Sequence, residues 1–122
     1  GAYDGGFVQV FNRTGDVWTK VGKDLIGAAD EYYGVAVALS SNGTRLAIGA
    51  KWNNDNGTLA GLVQVFDWTD TTWTDATWTQ VGKNLMGSEG DNFGFSVALS
   101  SDGSRLAVGA FANDNENGEN AG

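Results

Sequence analysis

Short apolar stretches separated by glycine-rich turns run along most of this chain. In residues 35–40, valine and leucine alternate with alanine and serine. Alternation with a period of two is typical of a β-strand with two different faces. Residues 45–50 are apolar almost throughout, which predicts a strand buried on both faces. The intervening Asn42-Gly43 pair predicts a type I′ hairpin turn, because both residues tolerate positive φ angles.

Two more strands are predicted further along the chain. Residues 62–67 are rich in β-branched and aromatic side chains, which favour strands. Residues 77–82 are more polar, as expected for an outer edge strand. No segment keeps an apolar spacing of 3.6 residues, so we expect little helix. The pattern therefore predicts an all-β chain of eight strands, arranged as two four-stranded antiparallel units.

An internal repeat relates the two halves of the chain. Residues 34–50 recur as residues 94–110 at an offset of 60, with 12 of 17 positions identical. Trp18 recurs as Trp78 at the same offset. A strand-rich repeat of this length predicts the blade of a β-propeller. Because the two tryptophans are equivalent, we expect both to pack between neighbouring blades.

Composition excludes several classes of chemistry. The chain of 122 residues has no cysteine, histidine or proline, which rules out disulfides, thiolate or imidazole zinc sites and histidine-dependent catalysis. The chain has seven basic and 15 acidic residues, which gives a net charge of −8. Binding to nucleic acid is therefore not expected. No apolar run is long enough to predict a membrane span. The start at Gly1 lacks a methionine and a signal peptide, which indicates a processed, excised or designed chain.

Four dipeptides identify a known repeat type. Tyr33-Gly34 with Gly49-Ala50, and Phe93-Gly94 with Gly109-Ala110, resemble the FG-GAP repeat of integrin α-subunits and related propellers. The resemblance implies a β-propeller whose innermost strand follows the first dipeptide. It also implies a non-catalytic binding or structural role, and it favours an extracellular or cell-surface location.

Many FG-GAP blades carry a calcium loop rich in aspartate between these two dipeptides. The corresponding segments here, residues 40–44 and 100–104, hold at most one carboxylate each. Because Ca²⁺ takes six to eight oxygen ligands, several of them charged, calcium is not expected there. No cofactor is predicted for the chain, and the remaining candidate Ca²⁺ ligands are Asn113, Asn115 and Asn117. These are neutral amides with the carboxylates between them, so a flexible turn without metal is the favoured interpretation of their loop.

The repeat begins part-way through a blade. Residues 34–83 form one full blade, residues 94–110 supply the first two strands of another, and residues 6–22 supply two outer strands. Propellers contain four to eight blades. We therefore predict that residues 6–22 of a neighbouring chain complete the split blade, so that three copies close a ring of six blades or four copies a ring of eight. Alternatively, the chain is a fragment of a longer propeller.

Candidate ligand-binding residues lie in the loops that share one edge of the predicted blades. These loops carry most of the acidic residues, which suits a cation, a basic protein partner or sugar hydroxyls. Solvated loops that keep a ring soluble are the alternative interpretation. The candidates are Asp30, Glu31, Tyr32, Trp52, Asp55 and Asp91. Of the adjacent tyrosines, we expect Tyr33 to lie in the core and Tyr32 to be exposed.

Three functional hypotheses follow from these observations. The favoured hypothesis is a non-catalytic propeller module that self-assembles into a ring and binds a glycan or a protein. The alternative is a lectin with sugar pockets repeated around the ring. An enzyme such as a glycosidase would need two carboxylates across a cleft, and no motif supports such a pair. We therefore predict that the chain is not an enzyme.

Overall fold

The computed structural model describes residues 5–27, 32–68 and 78–110. These ranges contain short strands and no helix, which confirms the predicted all-β fold for this part of the chain. The strands in chain order are β1 (Phe7–Val8), β2 (Phe11–Thr14), β3 (Val17–Lys20), β4 (Leu25–Ile26), β5 (Tyr33–Leu39), β6 (Arg45–Ala50), β7 (Leu62–Asp67), β8 (Thr79–Gln80), β9 (Leu85–Met86), β10 (Ser96–Leu99) and β11 (Leu106–Gly109).

The central sheet contains β5 to β9 in antiparallel pairing. β6 lies between β5 and β7, and both β8 and β9 pair with β7. The predicted outer strand at residues 77–82 is wrong at its C-terminal end, because β8 ends at Gln80, whereas Thr77 lies outside the described residues. Gly82 interrupts it with a φ of 74°, and the chain rejoins the sheet at β9. β6 is buried from Leu46 to Ala50, as the apolar run predicted, because the hydrophobic core covers one of its faces and the chain around Gly94 packs on the other.

Two smaller units flank the central sheet. The N-terminal unit contains β1 paired with β4 and β2 paired with β3. It repeats the outer part of the central sheet, since Val21 N donates to Val10 O at 2.7 Å just as Val81 N donates to Val65 O at 2.7 Å. The C-terminal hairpin contains β10 and β11 and repeats the inner pair, β5 and β6. The sequence repeat is thus also a repeat of backbone hydrogen bonds.

The two faces of the central sheet differ in side-chain size. One face presents Leu46, Ile48 and Phe66, which form the hydrophobic core with Val8 and Val21 of the N-terminal unit. The pairing of Tyr33 with Ala50 also places the Tyr33 ring in this core, as predicted.

On the opposite face, β5 and β6 carry small residues, and the C-terminal hairpin packs against them. Ala47 and Gly49 of β6 are buried on this face. At Gly49 the hairpin comes so close that an added Cβ would overlap the Gly94 carbonyl oxygen. A side chain of any size at Gly49 would therefore separate the two layers.

The turn between β5 and β6 is not of type I′. Gly43 N donates to Ser40 O at 2.9 Å, so the central residues are Ser41 and Asn42, and only Gly43 after them has a positive φ, of 76°. The physical reason lies in the side chain of Asn42. Its Oδ1 accepts hydrogen bonds from Thr44 N at 3.1 Å, from Thr44 Oγ1 at 2.8 Å and from Ser40 Oγ at 3.0 Å. The side chain therefore closes the turn itself.

Asp102 closes the equivalent turn of the C-terminal hairpin in the same way. Its Oδ1 accepts from Ser104 N at 3.0 Å, Ser104 Oγ at 2.8 Å and Ser100 Oγ at 2.9 Å. These bonds, led by the one from the Ser104 backbone, lower the pKa of Asp102 to about 2. The stabilisation from a depressed carboxyl pKa is complete above the ordinary value of 3.8 and is lost as the pH falls towards 2.

We expect Asp102→Asn to remove this acid sensitivity while preserving the turn, because Asn42 already makes the same three bonds. The free energy of unfolding should fall less steeply between pH 4 and pH 2 in Asp102→Asn than in the parent chain. Urea titrations at successive pH values measure this difference. The other carboxyl groups are common to both proteins, so identical slopes would contradict the assigned role of Asp102.

Candidate functional site

Three exposed aromatic rings surround a lysine at one edge of the central sheet. The ring centroids of Tyr32 and Trp52 lie 4.2 Å apart, with an angle of 31° between the ring planes. Lys51 Nζ lies 5.4 Å from the centroid of Tyr32, 6.0 Å from that of Trp52 and 5.4 Å from that of Phe95. These are cation–π distances. We refer to Tyr32, Lys51, Trp52 and Phe95 as the aromatic cluster.

The antiparallel pairing of β5 with β6 assembles this cluster. Tyr33, at the start of β5, pairs with Ala50 at the end of β6, which places Tyr32 beside the residues that follow Ala50. Tyr32 adopts a left-handed φ of 55°, and its carbonyl oxygen accepts a hydrogen bond from Val35 N at 3.1 Å. Phe95 comes from the C-terminal hairpin, so the cluster spans the junction between the two repeats.

The chemistry of the cluster suits a ligand with an apolar face and polar groups at its rim. Tyr32, Trp52 and Phe95 are all exposed to solvent, so part of each ring is accessible to a ligand that stacks on it. The ammonium group of Lys51 adds hydrogen-bond donors above the rings. A sugar ring, with its apolar face and its hydroxyl groups, has this combination of properties.

The predicted site residues fall into separate places. Tyr32 is exposed, as predicted, and the structure brings it together with Trp52. Asp55 and Asp91 belong to two neighbouring loops, which are joined by a hydrogen bond from Gly90 N to Thr58 O at 2.9 Å. Asp55 is exposed to solvent, whereas Asp91 uses Oδ2 to accept a hydrogen bond from Ser88 N at 2.9 Å. The aromatic pair is therefore the part of the prediction that forms a cluster.

Several predicted site residues lie outside the described residues. They are Asp30, Glu31, Asn113, Asn115 and Asn117. Within the described ranges, no group of three or more acidic side chains is close enough to hold a metal ion. In the turns at Asn42 and Asp102, the candidate oxygen is occupied by bonds within the turn itself.

Sequence reasoning did not include Lys51 and Phe95 in the site. A signal for Phe95 was present in the repeat, where Phe95 occupies the position of Val35, just as Tyr32 occupies the position of Asn92. Aromatic residues that depart from their counterparts in the other repeat have no common packing role to explain them. Such a departure is therefore a sequence signal for a surface role in one repeat.

A second surface of interest is the outer face of the N-terminal unit. Trp18 is 64% exposed, whereas its counterpart Trp78 is 6% exposed. Phe11 is 47% exposed, whereas its counterpart Phe66 is 8% exposed. We refer to the surface formed by Phe11 and Trp18 as the open face. Equivalent positions of the repeat are therefore buried in the central sheet and exposed in the N-terminal unit.

The buried tryptophan shows what covers such a face. Trp78 Nε1 donates a hydrogen bond to Val21 O at 3.1 Å, and the Trp78 ring packs against Trp68 with centroids 5.4 Å apart. Trp78 thus packs between the central sheet and the N-terminal unit, as predicted for this position. The same prediction for Trp18 is not met within the chain. Trp68, which contacts Trp78, is itself half-buried against the core.

Comparison with known proteins supports the relationship indicated by the dipeptides. A family model described as FG-GAP repeat matches residues 26–66 and 78–122, one match for each repeat. A search of curated proteins found no significant match to the sequence. Across residues 5–27, 32–68 and 78–110, no helix is long and apolar enough to cross a membrane.

Proposed function

The chain belongs to the FG-GAP repeat family, and from this premise we propose that it is a non-catalytic propeller module that completes its ring by self-association. In this proposal the central sheet is one four-stranded blade, with β8 and β9 as two parts of its outer strand. The N-terminal unit is the outer half of a blade and the C-terminal hairpin the inner half. Three or four copies then provide six or eight blades around an adhesion-type binding surface.

The observation that carries this proposal is the contrast between Trp18 and Trp78. A large aromatic side chain that is buried in one repeat and exposed in the other indicates a surface that lacks its cover. Uncovered apolar surface costs about 25 cal/mol for each Å² left in water. Burial of the open face therefore contributes favourably to association. The absence of histidine and cysteine supports the non-catalytic part of the proposal.

We expect light scattering to give a mass of three or four times 12.8 kDa at micromolar concentration. The physical reason is that a ring closes only at a fixed number of blades. A folded monomer over the same concentration range would contradict self-association. A broad distribution of much larger species would instead show that the copies associate without closing a ring.

Carbohydrate binding is a second candidate function, and the aromatic cluster favours it. Tyr32 and Trp52 offer exposed rings 4.2 Å apart, with Lys51 above them. Tyrosine and tryptophan combine an apolar face with a polar group, as stacking against a sugar requires. In a ring of copies, this cluster would recur once in each chain.

Tyr32→Asn provides a test that leaves the fold intact, because Asn92 has nearly the same φ, 52°, at the equivalent position. We expect Tyr32→Asn to weaken binding of neutral oligosaccharides selected from a glycan array by about tenfold. Tyr32→Phe keeps the ring and should keep most of the affinity. Calorimetric titration measures both, and equal affinities in all three proteins would exclude a role for the cluster.

A further inference from the structure

The contact between the N-terminal unit and the central sheet contains a defined socket for tryptophan. Trp78 Nε1 donates to Val21 O, and the indole ring lies over Gly22. A Cβ added to Gly22 would come within 3.2 Å of Trp78 Cδ1 and within 2.7 Å of the Trp68 ring. The socket thus consists of two neighbouring groups. The carbonyl oxygen of Val21 accepts the indole hydrogen bond, and Gly22 leaves space for the ring because it has no Cβ.

The central sheet carries a second socket of the same form at Val81 and Gly82. The φ of Gly82 is 74° and that of Gly22 is 75°. No atom of the described residues lies within 4 Å of the position that a Cβ on Gly82 would take, and Val81 is exposed where Val21 is buried. The described part of the chain therefore has an exposed tryptophan at the position equivalent to Trp78, which is Trp18, and an open socket of the form that Trp78 occupies.

The inner strands repeat this relationship between a covered and an uncovered contact. A Cβ added to Gly49 would meet the Gly94 carbonyl group. At the equivalent Gly109, the added Cβ would meet only Ser96 among the described residues, and the nearest atom is the flexible Oγ. On the opposite side of the molecule, Val37 and Leu39 are 51% and 47% exposed. They line an open groove of about 230 Å³ together with residues of the N-terminal unit.

We propose that these two surfaces cover each other between copies of this chain, so that one side of each copy meets the opposite side of the next. The N-terminal unit of one copy adds to the C-terminal hairpin of another, with β1 and β2 pairing antiparallel to β11 as β7 pairs with β6. Trp18 then donates its indole hydrogen bond to Val81 O of the other copy and lies over Gly82. This inference rests on the proposed function and names the contact through which the copies join.

A second copy is the occupant because this contact continues an interface that the chain already forms. Trp78 with Val21 and Gly22 is one instance, and Trp18 with Val81 and Gly82 has the same residue types in the same backbone conformation. Because of the internal repeat, the surface that carries Trp18 is thus complementary to the surface that carries Val81 and Gly82. A partner of unrelated sequence would have to reproduce the glycine socket and the tryptophan independently.

One ion pair is missing from the intermolecular version of this contact. Within the central sheet, Arg45 Nε donates to Asp67 Oδ1 at 2.6 Å and Arg45 Nη2 donates to Asp67 Oδ2 at 2.9 Å, which lowers the pKa of Asp67. The equivalent pair across two copies is Arg105 opposite Asn12. Asn12→Asp would therefore restore the bidentate ion pair with Arg105 of the other copy and strengthen association.

The test measures association of the full chain by sedimentation velocity, with Trp18→Ala, Gly109→Ala and Asn12→Asp compared with the parent. We expect Trp18→Ala and Gly109→Ala each to raise the dissociation constant by about tenfold or more. Gly109→Ala displaces only the Ser96 side chain in the free chain, so its circular dichroism should be unchanged. We expect Asn12→Asp to lower the dissociation constant by about two- to fivefold.

The outcomes separate this contact from ring closure. Closed oligomers that persist unchanged in both weakening variants would overturn the Trp18 contact and leave the proposed function standing. Open polymers of the parent that dissociate in both variants would support the contact and overturn ring closure. A parent chain that stays monomeric and folded would overturn both, as expected if further blades of a longer polypeptide normally cover these surfaces.

Discussion

Gly49→Ala is expected to destabilise the fold more than any other substitution of a single methyl group that we consider. The added Cβ would overlap the carbonyl oxygen of Gly94. Neither group can move by a rotamer change, because one is backbone and the other is fixed to the middle strand of the sheet. Overpacking of a core costs about 1–3 kcal/mol or more, and we expect the upper end of this range or beyond.

Gly109→Ala is the matched control for this prediction. It changes the same residue type at the equivalent position of the other repeat, where only Ser96 lies close within the described part of the chain. At concentrations where the chain is monomeric, we expect its free energy of unfolding to stay within about 0.5 kcal/mol of the parent value. Urea unfolding followed by circular dichroism compares the two at several protein concentrations, since association also raises stability by mass action. Equal losses would mean that the contact of the sheet with the hairpin is not tight.

Trp78→Ala is expected to cost about 3–5 kcal/mol, the range observed for removal of a large buried aromatic side chain. The indole is buried among the core residues, and its loss also leaves Val21 O without this donor. Because Trp78 joins the N-terminal unit to the central sheet, the loss should appear as separation of these two parts as well as a lower unfolding midpoint.

Trp18→Ala is the matched control for the second prediction, at the equivalent exposed position. At concentrations where the chain is monomeric, we expect Trp18→Ala to change the free energy of unfolding by less than about 0.5 kcal/mol. Proteolysis at sites within the N-terminal unit should be accelerated in Trp78→Ala alone. If both variants lose the same stability, the difference in burial between the two tryptophans does not hold in solution.

Local sequence determined most of the strands and their faces. The apolar run at Arg45–Ala50 and the β-branched run at Leu62–Asp67 were predicted with the bounds that the structure has. The alternation of Val37 and Leu39 with alanine also matches the two faces of β5. These features depend on period-two geometry and on side-chain size, which neighbouring residues in the sequence are sufficient to specify.

Competing local interactions decided the turn and the outer strand. Asn42-Gly43 is compatible with a type I′ turn, but the Asn42 side chain forms three hydrogen bonds that close a different turn. The polar run at residues 77–82 is broken at Gly82, whose positive φ directs the chain out of the ladder before β9. A pattern of residue types does not specify which of several hydrogen-bond arrangements satisfies the backbone.

Only the tertiary structure decided what the equivalent side chains contact. Trp18 and Trp78 stand at the same position of the repeat, yet one is exposed and the other buried. Tyr32 and Trp52 are distant in sequence and meet because β5 pairs with β6, while Phe95 joins them from the second repeat. The physical reason is that burial and ring stacking belong to pairs of surfaces. A sequence repeat specifies each surface, and the arrangement of the units determines which surfaces meet.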